Sequence, residues 1–504
     1  MDALAGNILH QLALGFAVMF QPQNIFFCFL GAFLGTLVGV LPGLGPVGAM
    51  SILLPITFHV SPVSALIMLS GIYYGAMYGG STTSILVNIP GEVASVVTCL
   101  DGYQMARQGR AGPALGIAAF GSFIAGTFGI VLLMFLAPTL ANFALRFGPP
   151  EYFSLMMLGL AIVTYLASGS MLKALMMVAV GLFLGTIGTD IVSGRDRFTF
   201  GIPVLENGVG LVPLVMGLFG LGEIFSNIDH KATTRTIALD RVKNILPSLD
   251  DWKKSAWPMV RGSFMGFFLG VLPGGGAILA AFASYAVEKR ISKTPERFGK
   301  GAIEGVAGPE SANNAGSTGA FVPMLALGIP SNVTIALLLG ALMVHGIEPG
   351  PLLSTQHPEI FWGLIASMYF GNLILLVLNL PLIWVWIKLL KVPYRILFPI
   401  ITLFCIAGVY TSSYQIADIV LMLFFGVVGW GLKKLEFEGA PLVLAFVLGP
   451  MLEKSLRQSL ILSDGDFGIF FVRPISAILM LLVVFVLFSP LIPRLGRKPL
   501  PRED

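Results

Sequence analysis

The sequence predicts an all-α polytopic membrane protein of roughly ten to twelve spans, built as two inverted-topology repeats with broken helices or re-entrant hairpins. Three observations predict it. Of the 504 residues, 56% are hydrophobic and 11% charged, and the mean hydropathy of +0.88 lies outside what a soluble domain of this length shows. Long apolar stretches are interrupted by short runs of Gly, Pro, Ser, Thr and Asn, the fullest being Gly308 to Asn332, GPESANNAGSTGAFVPMLALGIPSN. Irregular backbone at membrane depth is tolerated only where protein buries it or where it lines a water-filled cavity, because lipid satisfies no N–H or C=O group. The interruptions also recur in the same order in the two halves.

The elements follow from the apolar runs and the charge between them. The start, MDALAGNILHQLALGF, holds Asp2 and no Lys or Arg, so it lacks the basic region of a cleaved signal peptide. Residues 1–23 are read as a mature N-terminal segment at the interface. No Lys or Arg precedes Arg107, and basic residues concentrate in cytoplasmic loops, so the early loops face outward. Residues 24–40 are apolar, GVLPGLGPVG (39–48) interrupts, and apolar sequence resumes to Phe58. Pro42 removes a backbone donor and Gly43 and Gly45 weaken helix propensity, so a broken span and a re-entrant hairpin both fit. Residues 63–98 are interrupted by GGSTTS (79–84) and NIPGE (88–92) and lead to a cytoplasmic loop with Asp101, Arg107 and Arg110. Spans are expected near 113–140, 151–168, 171–192 and 203–226.

Residues 227–256 contain Lys231, Arg235, Arg241, Lys243, Lys253 and Lys254. They form the clearest cytoplasmic linker and divide a first membrane repeat (24–226) from a second (257–456). In the second, 257–287 is apolar on both sides of GVLPGGG (270–276), and a basic loop with Lys289, Arg290, Lys293, Arg297 and Lys300 follows. Both its ends are then cytoplasmic, which a re-entrant hairpin satisfies and a single long span does not. The loop 346–359 has no Lys or Arg and faces outward. Later spans fall near 361–387, 396–410, 416–432, 439–453 and 475–492, and residues 457–504 form an extra C-terminal span and basic tail. Arg195, Arg197, Lys454 and Arg457 depart from the charge pattern.

The internal repeat rests on three ordered matches. GVLPGLG at 39–45 recurs as GVLPGGG at 270–276, GGSTTS at 79–84 is echoed by AGSTGA at 315–320, and NIPG at 88–91 by GIPS at 328–331. The first GVLPG element leads from a neutral turn towards a basic loop, whereas the second lies between basic loops and leads to a neutral one. That is the pattern of inverted repeats, whose discontinuous helices meet near the midplane and offer helix ends and free carbonyls to substrate and ions.

Several chemistries are excluded. The net charge of +4 is spread over loops, which speaks to topology and not to nucleic acid. Cys28, Cys99 and Cys405 show no paired spacing, so neither a disulfide framework nor a zinc site is expected. Gly43, Gly45 and Gly48 spell GxGxxG without a βαβ unit around them, and no phosphate loop or HExxH is present. His10, His59, His230, His345 and His357 are dispersed. No catalytic residue is assigned, and the protein is read as a non-enzyme.

The candidate substrate and ion site combines Gly43, Gly45, Gly274 and Gly275 at the two GVLPG breaks with Ser81, Thr82, Thr83, Asn88 and Pro90 from the first half. Asn313, Asn314, Gly316, Ser317, Thr318, Pro330 and Asn332 come from the second. If the chain is helical up to Asn314, Asn313 with Ser317 and Asn314 with Thr318 are i, i+4 neighbours on one face. Oxygens of Asn314, Ser317 and Thr318, with carbonyls freed near Gly316 and Gly319, suit a hard cation such as Na⁺, while N–H groups at a half-helix N-terminus suit a carboxylate. Packing between helices is the alternative for each. Glu223, Glu310 and Asp418 are the main acidic groups within spans and are placed at span ends. This scarcity favours Na⁺ over H⁺.

The segments GVLPGLGP, GGSTTSILVNIPGE, LDGYQMARQGRAGPALGIAAFGSF, GVLPGGGA, PESANNAGSTGAFVPMLALGIPSN and HGIEPGP resemble those of the large membrane subunit of tripartite tricarboxylate transporters, from about residue 20 to 490. The resemblance implies a multi-pass protein of the bacterial inner membrane that imports carboxylates on an ion gradient. A periplasmic substrate-binding protein and a small membrane subunit are the implied partners. Similarity to other binding-protein-dependent secondary transporters implies an elevator-like movement. A passive anion channel and an intramembrane enzyme are the competing readings.

Overall fold

A computed structural model describes residues 2–41, 45–167, 170–190, 193–229, 244–274, 276–389 and 394–489. Gly43 and Gly275 lie outside the described residues, as do Lys231, Arg235, Arg241 and Lys243 of the linker. Apart from one antiparallel hairpin of two-residue strands, the regular elements among the described residues are helical. Among the described residues five helices are long and apolar enough to cross a membrane, and shorter apolar helices fill in around them.

The N-terminal segment forms α1 (Asp2–Met19), which packs Gly15 against the backbone of Trp362. Next come α2 (Pro22–Val40), α3 (Gly45–Thr57) and α4 (Pro62–Val87). Gly31, Gly35 and Gly39 of α2 press on the backbones of Met68, Ile72 and Ala76 of α4, where an added Cβ would overlap a carbonyl oxygen. Close approach through small residues at four-residue spacing is how helices associate without a hydrophobic driving force. Both numberings rise together, so α2 and α4 run parallel, and α3 carries the chain back between them. GGSTTS does not interrupt this half, contrary to expectation: it lies inside α4. The helix tolerates it because Ser81 and Ser84 donate to the carbonyls of Met77 and Gly80 one turn earlier. The break comes at NIPG, after Asn88 ends α4 in the left-handed region at φ 58°.

α5 (Val96–Arg107), α6 (Ala111–Ala144), α7 (Pro149–Leu166) and α8 (Met171–Gly185) follow. The span expected over 171–192 stops at Gly185, because the chain turns into the hairpin of β1 (Gly188–Thr189) and β2 (Asp196–Arg197), with Gly188 opposite Arg197. The span expected over 203–226 also differs. The one-turn α9 (Pro203–Glu206) is separated from α10 (Leu211–Val215) by an Asn-Gly break, and α10 continues through a π-helical turn into α11 (Gly222–Asp229).

The second half repeats the glycine arrangement. α12 (Leu249–Val271) is capped by Ser248, whose hydroxyl accepts from the Asp251 N–H, and is followed by α13 (Gly276–Ile291), α14 (Glu304–Gly319), α15 (Phe321–Leu327) and α16 (Val333–Val344). Gly262, Gly266 and Gly270 press on Gly308, Ala312 and Gly316, again in parallel. Arg261 at the middle of α12 pairs with Glu288 near the end of α13, at 2.6 and 2.8 Å. The α12–α13 unit is therefore a hairpin with both ends on one side, as the flanking basic loops require.

The chain then forms the short α17 (Leu353–Gln356) and α18 (Pro358–Asn379). The span expected over 361–387 is broken after Asn379, with α19 (Ile383–Leu389) as a separate piece. α20 (Tyr394–Ser413), α21 (Ile416–Lys434), α22 (Gly439–Leu462), the short α23 (Ile469–Val472) and α24 (Pro474–Phe488) complete the described chain. α22 packs on α8 through Gly181, and at their far end Arg197 and Arg457 share Asp190 at 3.2 and 3.0 Å while Glu453 takes both. Two of the four cations that departed from the charge pattern are thus locally neutralised.

Candidate functional site

The polar run from Gly308 is a helix, not irregular backbone. α14 contains Glu310, Asn313, Asn314, Ser317 and Thr318, all buried. Ser317 and Thr318 donate to the carbonyls of Asn313 and Asn314 at 2.9 and 3.1 Å, so their hydroxyl protons are satisfied within the helix and their lone pairs face the neighbours. The carbonyl of Gly316 is not free as expected, since it accepts the Ala320 N–H at 3.0 Å. Gly319 does lose its usual donor, because position 323 is proline. α15, which follows, ends at Gly328 in the left-handed region, φ 71°.

Side chains of the first half meet this face of α14. Ser81 Oγ of α4 lies 2.6 Å from Glu310 Oε2, within hydrogen-bond distance, and Thr98 of α5 donates to Glu310 Oε1. Glu92 caps the turn Val93–Ser95, accepting the Ala94 N–H through Oε2 at 2.6 Å, and its Oε1 accepts from Asn313 Nδ2 at 3.0 Å. The other oxygen of that amide, Asn313 Oδ1, is buried without a hydrogen-bond partner. Asn314 Nδ2 donates to Ser122 of α6 at 2.7 Å. Two carboxyl groups thus join the halves, one from each.

Each GVLPG break sits against the proline loop of its own half. Thr83 donates to the Val40 carbonyl at 2.8 Å, and Gly91 abuts Gly39. In the second half the Gly274 N–H donates to the Ser331 carbonyl at 2.7 Å, and the Ser331 hydroxyl donates to Ala320 at 3.0 Å. Pro330 is buried there. Asn332 caps α16 by accepting the Ile335 N–H at 2.9 Å, and its amide donates to the Tyr73 hydroxyl at 3.2 Å. Thr82 lines a small cavity with Ser81, Tyr78, Ser122 and Asn379, of about 10 Å³, room for about one water. Not every expected residue joins the cluster. Asn88 is exposed and Pro90 half-buried at the end of α4, and Gly45 begins α3 with open space around it.

The sequence model of the tripartite tricarboxylate transporter TctA family matches residues 25–444. The chain belongs to that family. A relative from Agrobacterium vitis, named an uncharacterized 52.8 kDa protein in the TAR-I ttuC' 3'region, is 51% identical over 492 residues and covers 98% of each chain. A second from the same organism, named an uncharacterized protein in the TAR-II ttuC' 3'region, is 50% identical over 233 residues, 46% of this chain and 96% of its own. No solved structure matches. As a TctA-family chain, the protein is a multi-pass membrane protein of a transporter family.

Sequence reasoning missed Glu92 in this TctA-family site and underrated Glu310. Glu310 is not at a span end but fully buried in α14. Glu223, by contrast, pairs with Lys433, and Asp418 lies in the first turn of α21. The available signal for Glu92 was an acidic residue followed three positions on by Ser95, a spacing that lets its side chain and Ser95 cap each other's backbone.

Proposed function

We propose that this chain is the large membrane subunit of a binding-protein-dependent secondary transporter that imports carboxylates on a cation gradient. The observation that carries this reading is the buried polar seam where Ser81 and Thr98 of one half bind Glu310 of the other. Polar and ionisable groups placed inside a membrane protein mark substrate and ion paths. The cavity beside the seam is water-sized, which suits alternating access better than a standing pore.

The two glycine ladders, each followed by a proline-loop break, support two repeats, and the charge pattern supports opposite orientation. In this reading the broken-helix region moves against the remaining helices in an elevator-like step. The coupling cation is Na⁺, held by oxygens of Asn314, Ser317 and Thr318, or H⁺, carried by a carboxyl of the seam. The substrate carboxylate is drawn to the N-terminal end of α16, where Asn332 sits. A small membrane subunit and a periplasmic substrate-binding protein complete the system in the bacterial inner membrane, as the tripartite family implies.

The test is reconstitution with both partners. Carboxylate uptake should require the binding protein and follow an imposed Na⁺ or H⁺ gradient. Uptake indifferent to the binding protein and to both gradients would contradict the proposal.

A further inference from the structure

We propose that Glu310 is a proton-binding group, a neutral carboxylic acid in this conformation, whose proton leaves and returns through Ser81 and the water-sized cavity beside it. This rests on the transport reading and names the H⁺ site within it.

The first support is a count of protons. Ser81 Oγ lies 2.6 Å from Glu310 Oε2 and 3.2 Å from the Met77 carbonyl. A serine hydroxyl has one proton and cannot donate to both acceptors. A proton on Glu310 Oε2 completes the set, since Oε2–H then donates to Ser81 Oγ and Ser81 donates to Met77. Thr98 donates to the remaining oxygen.

The second support is the charge around α14. The ionisable groups facing it are Tyr73 and Tyr78 on α4, Glu92 beside α5, Cys99 and Asp101 on α5, Tyr285 and Glu288 on α13 and Arg261 on α12. Arg261 is held by Glu288, and Arg297, in the loop before α14, by Glu304 at the start of that helix. Asp101 is held by the N–H groups of Gly299, Gly301 and Ala302. α6 and α15 contain no ionisable residue. Among the described residues no cation faces Glu310, so an ionised carboxylate there would be buried without a partner, which is costly, and the proton removes the charge. Glu92 is placed differently: its oxygens accept N–H donors from Ala94 and Asn313, so its hydrogen bonds need no shared hydroxyl proton.

The third support is a route. Ser81 also lines the small cavity, and so does Asn379, whose buried Oδ1 has no hydrogen-bond partner. That oxygen is an acceptor waiting for a water. On release, the Glu310 proton passes to Ser81 Oγ as Ser81 gives its own proton to the cavity water.

The test is infrared difference spectroscopy on the purified full-length chain as pH is changed. Wild type should show the C=O stretch of a protonated carboxyl that disappears at high pH. The band should be lost in Glu310→Gln, moved in frequency in Glu310→Asp, and kept in Glu92→Gln. A wild-type chain without a titrating band, or a band unchanged in both Glu310 variants, would overturn the proposal. Glu310→Asp keeps the test alive should the Gln variant not fold. The measurement needs no substrate or gradient, so failed uptake sinks the transport reading and a missing band sinks the proton site.

Discussion

Ser81 Oγ and Glu310 Oε2 are 2.6 Å apart although 229 positions separate them in the chain. This contact and its companion from Thr98 tie the polar face of α14 to α4 and α5. Removing either hydroxyl leaves a buried carboxyl oxygen short of a partner. Ser81→Ala and Thr98→Ala should each lower stability by about 1–3 kcal/mol. Thermal unfolding in detergent checks this, and each effect should shrink when Glu310 is already Gln.

The glycine ladders should be intolerant of side chains. An added Cβ at Gly35 would overlap the Ile72 carbonyl, and one at Gly266 the Ala312 carbonyl. Gly35→Ala and Gly266→Ala should each cost about 1–3 kcal/mol through forced separation of parallel helices. Gly159→Ala in α7, where nothing stands within 4 Å, should be neutral or slightly stabilising in the same assay.

How much was legible divides along the same line. Glycine and proline announce themselves locally, so both GVLPG breaks and both proline loops could be read directly. Burial of a carboxyl depends on who faces it, and no local pattern in PESANNA reveals Ser81 or Thr98. The match of GGSTTS to AGSTGA also misled by one helical turn. Gly79 presses on the Thr36 carbonyl and Gly319 on that of Phe267, and these two positions correspond in the helices leading to the GVLPG breaks. In that register Tyr73 and Tyr78 stand where Asn313 and Thr318 stand in the other half. Two tyrosines against an amide and a hydroxyl share no letters, so a correspondence in this register is invisible to a search for identities.

Asp101 clamps the loop before α14. Its Oδ1 accepts N–H bonds from Gly299, Gly301 and Ala302 at 2.8–2.9 Å, and its Oδ2 accepts from the Tyr285 hydroxyl at 3.0 Å. Asp101→Ala should release the loop, and a cysteine placed at Ala302, which is buried, should then react with a polar thiol reagent at least about tenfold faster, the shift that about 1.4 kcal/mol of loop opening produces. An unchanged rate would deny the clamp.

Acid should loosen the start of α12. Burial raises the Asp251 pKa, but the Ser248 hydroxyl and N–H and the Arg110 guanidinium outweigh it and hold the carboxyl below its ordinary range. A depressed folded-state pKa contributes stability above the unfolded value of about 3.9 and loses it as pH falls through the folded value. Stability measured below about pH 4 should therefore fall less steeply in Asp251→Asn than in wild type.

The central claim is that the seam between α4, α5 and α14 couples carboxylate import to a cation gradient. Its most direct test is accumulation of a labelled carboxylate in proteoliposomes holding this chain with its small subunit and binding protein, under imposed Na⁺ and pH gradients, for wild type and Glu310→Gln. The account predicts gradient-driven accumulation in wild type and at least a tenfold loss of that drive in the variant, about 1.4 kcal/mol or more. Equal uptake in both proteins, with or without either gradient, would contradict it.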